Sequence, residues 1–166
     1  MRSLRFHICE TEHGCVGLIF SEHGLRETTL PLPSRDEALG RVLEAGASEP
    51  ALEREVADVP ERLCALASGR YAKLAFCIDW NGIAGFRRAV MEEAMRIPPG
   101  ETRSYGWLAE QVGHPRAARA VGRVMATNPL PIVVPCHRVV GSDGGLHGYG
   151  GGLAMKEALL RAEGAL

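Results

Sequence analysis

Three prolines, Pro129, Pro131 and Pro135, fall within seven residues, and the chain then runs straight into Cys136, His137 and Arg138. Proline fixes φ and removes the backbone N–H, so the stretch from Asn128 to Arg138 is barred from helix interiors and from the middle of a sheet. It is expected to be a stiff, apolar loop that delivers one thiol to a fixed place. Most lone cysteines are small core residues, and Cys64 and Cys77, inside apolar stretches, keep that reading. Cys136 does not, because packing alone gives no reason to stiffen the backbone beside a Cys-His-Arg run. A thiol is a nucleophile only as its thiolate, and a free one has a pKa of about 8.5. Apolar burial raises that value, whereas an adjacent imidazole and guanidinium lower it. The segment reads as one built to keep a thiol dry and still let it ionise, which is an arrangement for covalent chemistry.

A chain of 166 residues holds one large or two small domains and buries a core. It has no apolar run long enough to span a membrane, and the charges of Arg2, Arg5 and Glu10 interrupt the N-terminus, so no signal peptide is expected. The 5 cysteines are an odd number without paired spacing, which points away from a disulfide framework and toward a reducing cytoplasm. The net charge of −1 conceals an asymmetry: 9 basic residues face 13 acidic ones through Gly82, and 10 face 7 beyond it. Between Arg103 and Arg138 there are five arginines and a single acidic residue, Glu110. That local positive face is what phosphate contact requires.

The first half reads as a small α+β unit. Leu4–Cys9, Val16–Phe20 and Leu25–Leu30 are strand candidates separated by turns. Ser34 with Glu37 forms a capping-box pattern opening a helix to about Glu44, and a second helix runs from Pro60 to Gly69. Asp79-Trp80-Asn81-Gly82 is a crossover, dividing residues 1–81 from 82–166. His7, Cys9, His13, Cys15 and His23 lie close together, but without paired ligand spacing they are read as strand residues, with no metal. The second half is helical. Phe86, Val90, Ala94 and Ile97 make a helical stripe over 84–95, ended by Pro98-Pro99-Gly100. Ser104 caps a short helix to Val112, Gly113 breaks it, and Pro115 opens another to about Ala126. Two short helices around a Gly-containing turn form a helix-turn-helix candidate. The second carries Ala117-Ala118-Arg119-Ala120-Val121-Gly122, small residues that suit close approach to a minor groove rather than side-chain readout of a major one.

Taken in order, Gly100-Glu101-Thr102-Arg103-Ser104-Tyr105, Arg119-Ala120-Val121-Gly122, Pro135-Cys136-His137-Arg138, Gly148-Tyr149-Gly150-Gly151-Gly152 and Leu159-Leu160-Arg161-Ala162-Glu163-Gly164 resemble the O6-alkylguanine-DNA alkyltransferases. The resemblance covers roughly residues 83–164. It implies an N-terminal ribonuclease-H-like antiparallel sheet with helices, followed by a DNA-binding and catalytic domain. It also implies irreversible transfer of the alkyl group from O6-alkylguanine, and from O4-alkylthymine, in double-stranded DNA to Cys136, by a monomer. Some family members bind zinc near the N-terminus, but Ser21 and Arg26 stand where two of its ligands would be.

By the same resemblance His137 withdraws the thiol proton through a water, and Glu163 orients the imidazole. Asn128 ties the recognition helix to the Cys segment. Arg119 fills the space left by a flipped base, which must leave the stack before its O6 substituent can meet a buried thiol. Tyr105 turns the 3′ phosphate and donates a proton to the departing guanine. Ala118, Gly122, Arg103, Arg116 and Arg123 complete the DNA face. Met125, Pro131, Val139, Tyr149 and Gly150 line the alkyl pocket. Met91, Pro99 and Arg87 depart from the family's usual Trp, Tyr and Gln. The Gly-rich stretch lacks the Lys-Ser/Thr ending of a phosphate loop, and no dinucleotide motif implies a cofactor. Two other readings stay open: a non-catalytic alkyltransferase-like binder, against which Cys136 argues, and a cysteine hydrolase, which needs an oxyanion site.

Overall fold

Leu4–Thr11 (β1), Gly14–Ser21 (β2) and Gly24–Thr28 (β3) form an antiparallel meander joined by two tight turns. The computed structural model describes residues 3–166; Met1 and the Arg2 charge lie outside the described residues. Arg35–Glu44 (α1) follows, and the Ser34 hydroxyl accepts the Glu37 N–H at its start, as the capping pattern predicts. Residue 17 is glycine because α1 crosses there: a Cβ would lie 2.4 Å from Cγ1 of Val42. A fourth strand, Ala47–Pro50 (β4), pairs parallel to β1 and gives the order β3-β2-β1-β4. Ala-Ser-Glu-Pro has no apolar alternation, so the sequence does not announce this strand. Three of its four residues are exposed, as an edge strand allows. The single turn Glu53–Val56 (α2) is likewise unannounced. Val59–Ala67 (α3) has Pro60 in its first turn and ends before Gly69, as expected.

The sheet separates two apolar clusters. Ile8, Cys15 and Ile19 on one face pack under Ala38 and Val42 of α1. On the other face Val16, Leu18 and Leu25 join Leu63 of α3 and continue without a break into Val90, Met91, Val121 and Val139. Each large aliphatic side chain buried this way contributes roughly 1.5–3 kcal/mol, so the two halves of the sequence stabilise one another across residue 82. Cys9 and Cys15 sit in opposite clusters, and His13 bonds the Ala67 carbonyl at 3.0 Å. Cys9 and Cys15 therefore face opposite sides of the sheet. Asp79 is a buried hub at the crossover, accepting from Ser21 (2.6 Å), Arg26 (3.2 Å) and the Asn81 N–H (2.9 Å).

Beyond the crossover come Gly85–Ala94 (α4), Arg103–Ser104 (β5), Tyr105–Gln111 (α5) and Ala118–Ala126 (α6). The Ser104 hydroxyl caps α5 by accepting the Trp107 N–H at 3.0 Å. Helix α6 starts at Ala118, not at Pro115. Pro115 and Arg116 form a turn that closes with the Ala117 N–H on the His114 carbonyl at 2.8 Å. The fixed φ of proline serves a turn as readily as a first helical turn. Cys136–Arg138 is one turn of 3-10 helix, Val139–Val140 (β6) pairs parallel with β5, and Leu153–Ala162 (α7) closes the fold. Met91, in place of the family's Trp, is wholly buried in the core. Among the described residues no helix is long and apolar enough to cross a membrane.

Candidate active site

The loop from Asn128 to Pro135 is fastened from both sides. The Asn128 side chain accepts the Leu130 N–H and donates to the Val134 carbonyl, both at 2.9 Å, and so bridges the end of α6 to the turn before the thiol. Val134 N–H bonds the Leu130 carbonyl, and Cys136 N–H bonds the Val134 carbonyl, each at 2.8 Å. Thr28, the last residue of β3, donates its backbone N–H to Pro129 O at 2.8 Å and its hydroxyl to Pro131 O at 2.9 Å. Between them Ile132 is held at φ +74° while fully buried. A β-branched residue in that region costs about 1–3 kcal/mol and persists only where its surroundings over-determine it.

Cys136 is buried at the wall of a cavity of about 470 Å³ formed by Tyr105, Gly122, Met125, Ala126 and residues 147–150. Of the residues expected at the alkyl pocket, Met125, Tyr149 and Gly150 line this cavity, and Tyr105 lines it too. Pro131 and Val139 do not line the cavity. Both are buried, and their carbonyls accept from Thr28 and Lys156. Burial pushes the Cys136 thiol up; contacts with Asn128 and Tyr149 and the charge of Lys156 offset only part of this. The expected help from Arg138 is absent, because its guanidinium turns away from the thiol.

Arg138 instead clamps Glu163. Its Nε donates to both carboxylate oxygens at 3.1 and 3.0 Å, Nη2 donates at 2.7 Å, and Nη1 reaches the Ile97 carbonyl at 2.7 Å. The same carboxylate accepts from Nε2 of His137 at 2.7 Å. Burial alone would raise Glu163, but the bonds from His137 and Arg138 outweigh it and hold its carboxyl below the ordinary range. A charged carboxylate on Nε2 fixes the proton there and leaves Nδ1 with its lone pair. That Nδ1 is buried with no partner among the described residues. Burial keeps His137 below its ordinary pKa despite Glu163, so the ring is neutral and able to take a proton.

These shifts set an acid limit on stability. The folded pKa of His137 lies below 6.5, so as pH falls through that value the unfolded chain binds a proton the folded chain refuses, and stability drops. The stabilisation from Glu163 is present above the ordinary carboxylate pKa and is lost at still lower pH. The melting temperature, followed from about pH 8 to about pH 5, should fall from near neutrality downward. It should fall less steeply in His137→Gln. His7, also held low by burial, leaves a residual slope. A flat wild-type profile would contradict a buried neutral imidazole.

Two contacts near the thiol are not foreseen in the sequence. Arg138, expected to lower the thiol's pKa, holds Glu163 instead. Lys156 is wholly buried on α7, donating Nζ to Val139 O at 2.7 Å and His147 O at 3.4 Å, 6.0 Å from the Tyr105 ring centre. Its signal was a lysine on the apolar stripe Lys156-Leu159-Leu160 of a helix not foreseen.

Helix α6 buries Val121, Val124 and Met125 and leaves Arg119 and Arg123 exposed. Arg119 precedes Gly122 by three residues, so it lies on the same helical face, one turn from the cavity wall. Arg116 is exposed in the preceding turn, Ala118 is half-buried, and Gly122 lies against Tyr105. Arg103 is paired with Glu101 and stacked 5.3 Å from the Trp107 ring, which ties it down more than the others. Arg87 bonds the Thr127 carbonyl at 2.7 Å. Of the remaining thiols Cys64 is half-buried and Cys77 exposed, so Cys77 is not the core residue expected.

The family model of the 6-O-methylguanine DNA methyltransferase DNA-binding domain matches residues 85–165. The methylated-DNA–protein-cysteine methyltransferase of Mycobacterium leprae is 41% identical over 162 residues, covering 93% of this chain and 91% of its own. The chain belongs to this family. The Mycolicibacterium paratuberculosis family member is 49% identical over 110 residues, and that match spans 66% of each chain. Among family structures, that of Mycobacterium tuberculosis OGT in complex with DNA has a TM-score of 0.75 at 34% identity, over 99% of this chain and 94% of that one.

Proposed function

We propose that this chain removes the alkyl group from O6-alkylguanine in double-stranded DNA by taking it onto Cys136, once per molecule. The observation that carries the reading is a buried thiol in the wall of a cavity that Tyr105 and Tyr149 also line, beside the helical face that bears Arg119. Residues 82–166 supply the chemistry and the DNA contact, and residues 1–81 brace them. Arg119, Arg116 and Arg123, with Ala118 and Gly122 allowing close approach, hold the duplex through its minor groove without sequence preference. Arg103 adds a phosphate contact. Arg119 replaces the extruded base and Tyr105 turns its 3′ phosphate. An odd number of cysteines supports a cytoplasmic setting.

The chemistry follows from the proton positions. His137 takes the thiol proton at Nδ1 through a water, while Glu163, kept ionised by Arg138, stabilises the imidazolium. The thiolate sulfur displaces guanine from the alkyl carbon in line: the S–C bond forms as the C–O6 bond breaks. The Tyr105 hydroxyl, now on the His147 carbonyl at 3.2 Å, turns to the departing base and donates its proton. Asn128 keeps the thiol aligned, and Met125, Tyr149 and Gly150 enclose the alkyl group.

The thioether product has no activated leaving group, unlike the thioester of a cysteine hydrolase. Titration with excess duplex carrying O6-methylguanine should therefore remove one lesion per chain and add the alkyl mass to the peptide containing Cys136. Several lesions per chain, or an adduct on another residue, would overturn the reading and favour the hydrolase.

A further inference from the structure

We propose that Thr28, in the N-terminal sheet, is a positioning residue for alkyl transfer, holding the Cys136 segment in register through Pro129 and Pro131. The proposal rests on the reading of Cys136 as the alkyl acceptor.

The proline-rich loop cannot fasten itself. Pro129, Pro131 and Pro135 have no N–H to give, and the two N–H bonds that tighten the loop, from Leu130 and Val134, are spent on Asn128 and on the Leu130 carbonyl. The carbonyls of Pro129 and Pro131 are left over, and both are taken by Thr28, 103 residues from Pro131 in sequence. Thr28 is itself buried, so water does not compete for these bonds.

The bond to Pro131 O acts at the strained point. A carbonyl oxygen lies in one peptide plane with the following nitrogen, so fixing Pro131 O fixes the plane from which φ of Ile132 is measured. Ile132 is the buried residue at φ +74°. Two residues on, Val134 offers its carbonyl both to Asn128 and to the N–H of Cys136. The thiol segment is thus tied to Asn128 on one side, and on the other to the sheet through Thr28, whose hydroxyl is the bond that reaches Pro131 O. Without it the Pro131–Ile132 peptide is free to rotate toward an unstrained φ, carrying Cys136 away from His137 and the cavity. Reaction geometry is sensitive to displacements of this size.

Thr28→Val removes the hydroxyl and keeps the shape and the backbone bond; Thr28→Ser keeps the hydroxyl. Thr29→Val is the control, because the neighbouring Thr29 hydroxyl accepts the Gly17 N–H at 2.8 Å inside the sheet and touches nothing in the loop. With free O6-benzylguanine as probe, the saturating rate of Cys136 alkylation should fall about tenfold in Thr28→Val. The half-saturating concentration should stay unchanged. Thr28→Ser and Thr29→Val should stay within about twofold of wild type. A Thr28→Val rate equal to wild type overturns the proposal, and so does an equal loss in Thr29→Val, which would mark general loosening. Should Thr28→Val not fold, hydrogen exchange of the wild type decides: the amides of Thr28, Leu130 and Val134 open together if the clamp is one unit, and separate opening overturns it. No adduct on wild-type Cys136 would instead bring down the functional reading.

Discussion

Cys136→Ala should abolish alkyl transfer and leave the affinity for duplex DNA within about twofold of wild type, because phosphate contacts dominate that affinity. The substitution removes one sulfur from a cavity wall, while the exposed arginines of α6 and the turn before it are untouched. Cys64→Ala and Cys77→Ala should react at full rate, since one lies on α3 and the other at the surface beside β3. Intact mass after exposure to alkylated duplex, paired with a binding isotherm at fixed salt, checks all three. Retained lesion removal by Cys136→Ala would end the thiolate mechanism. A large loss of affinity would mean that the sulfur, not the arginines, holds the DNA.

Glu163→Ala should be the most destabilising single change around the site. Its side chain is 1% exposed and serves both Arg138, whose side chain is 4% exposed, and His137 at 1%. Deleting one partner of a buried pair costs about 3–5 kcal/mol, because the other charge stays behind uncompensated. Against a net domain stability of about 5–15 kcal/mol that is a large loss. Glu163→Gln keeps the shape and an acceptor, so it should lose less stability, yet it cannot balance a positive imidazole. Alkyl transfer should then slow by about a hundredfold. Denaturant titration and single-turnover kinetics separate the two effects. If Glu163→Gln matches wild type in rate, the carboxylate serves the fold alone.

Where the chain marks structure with special chemistry, the sequence was readable. Ser34 and Ser104 cap α1 and α5 because a hydroxyl before a helix accepts an otherwise orphaned N–H, and no tertiary information is needed for that. The three prolines announce a stiff loop for the same local reason. What local rules miss is partnership at a distance. β4 exists because β1 has a free edge, not because Ala-Ser-Glu-Pro favours a strand. Pro115 satisfies a turn as well as a helix start, and only the bond from Ala117 to His114 decides between them. Arg138 adjoins Cys136 in sequence, yet it faces Glu163, 25 residues away. Lysine is a surface residue by type, and only α7 turns Lys156 inward against the Val139 carbonyl of β6. Family resemblance pairs Glu163 with His137 and Asn128 with the Cys segment, contacts the structure also has, whereas Pro131 and Val139 are buried outside the cavity lining.

The upward push that burial gives the Cys136 thiol governs how the molecule waits. A chain spent by a single event gains nothing from a nucleophile that is always armed, since stray oxidants and electrophiles would consume it before any lesion did. Protonated and walled in by Tyr105 and Tyr149, the sulfur is inert in storage. On the proposed mechanism it reacts when a flat aromatic leaving group fills the cavity and the bridging water carries its proton to His137. On that reading the lesion itself releases the safety catch.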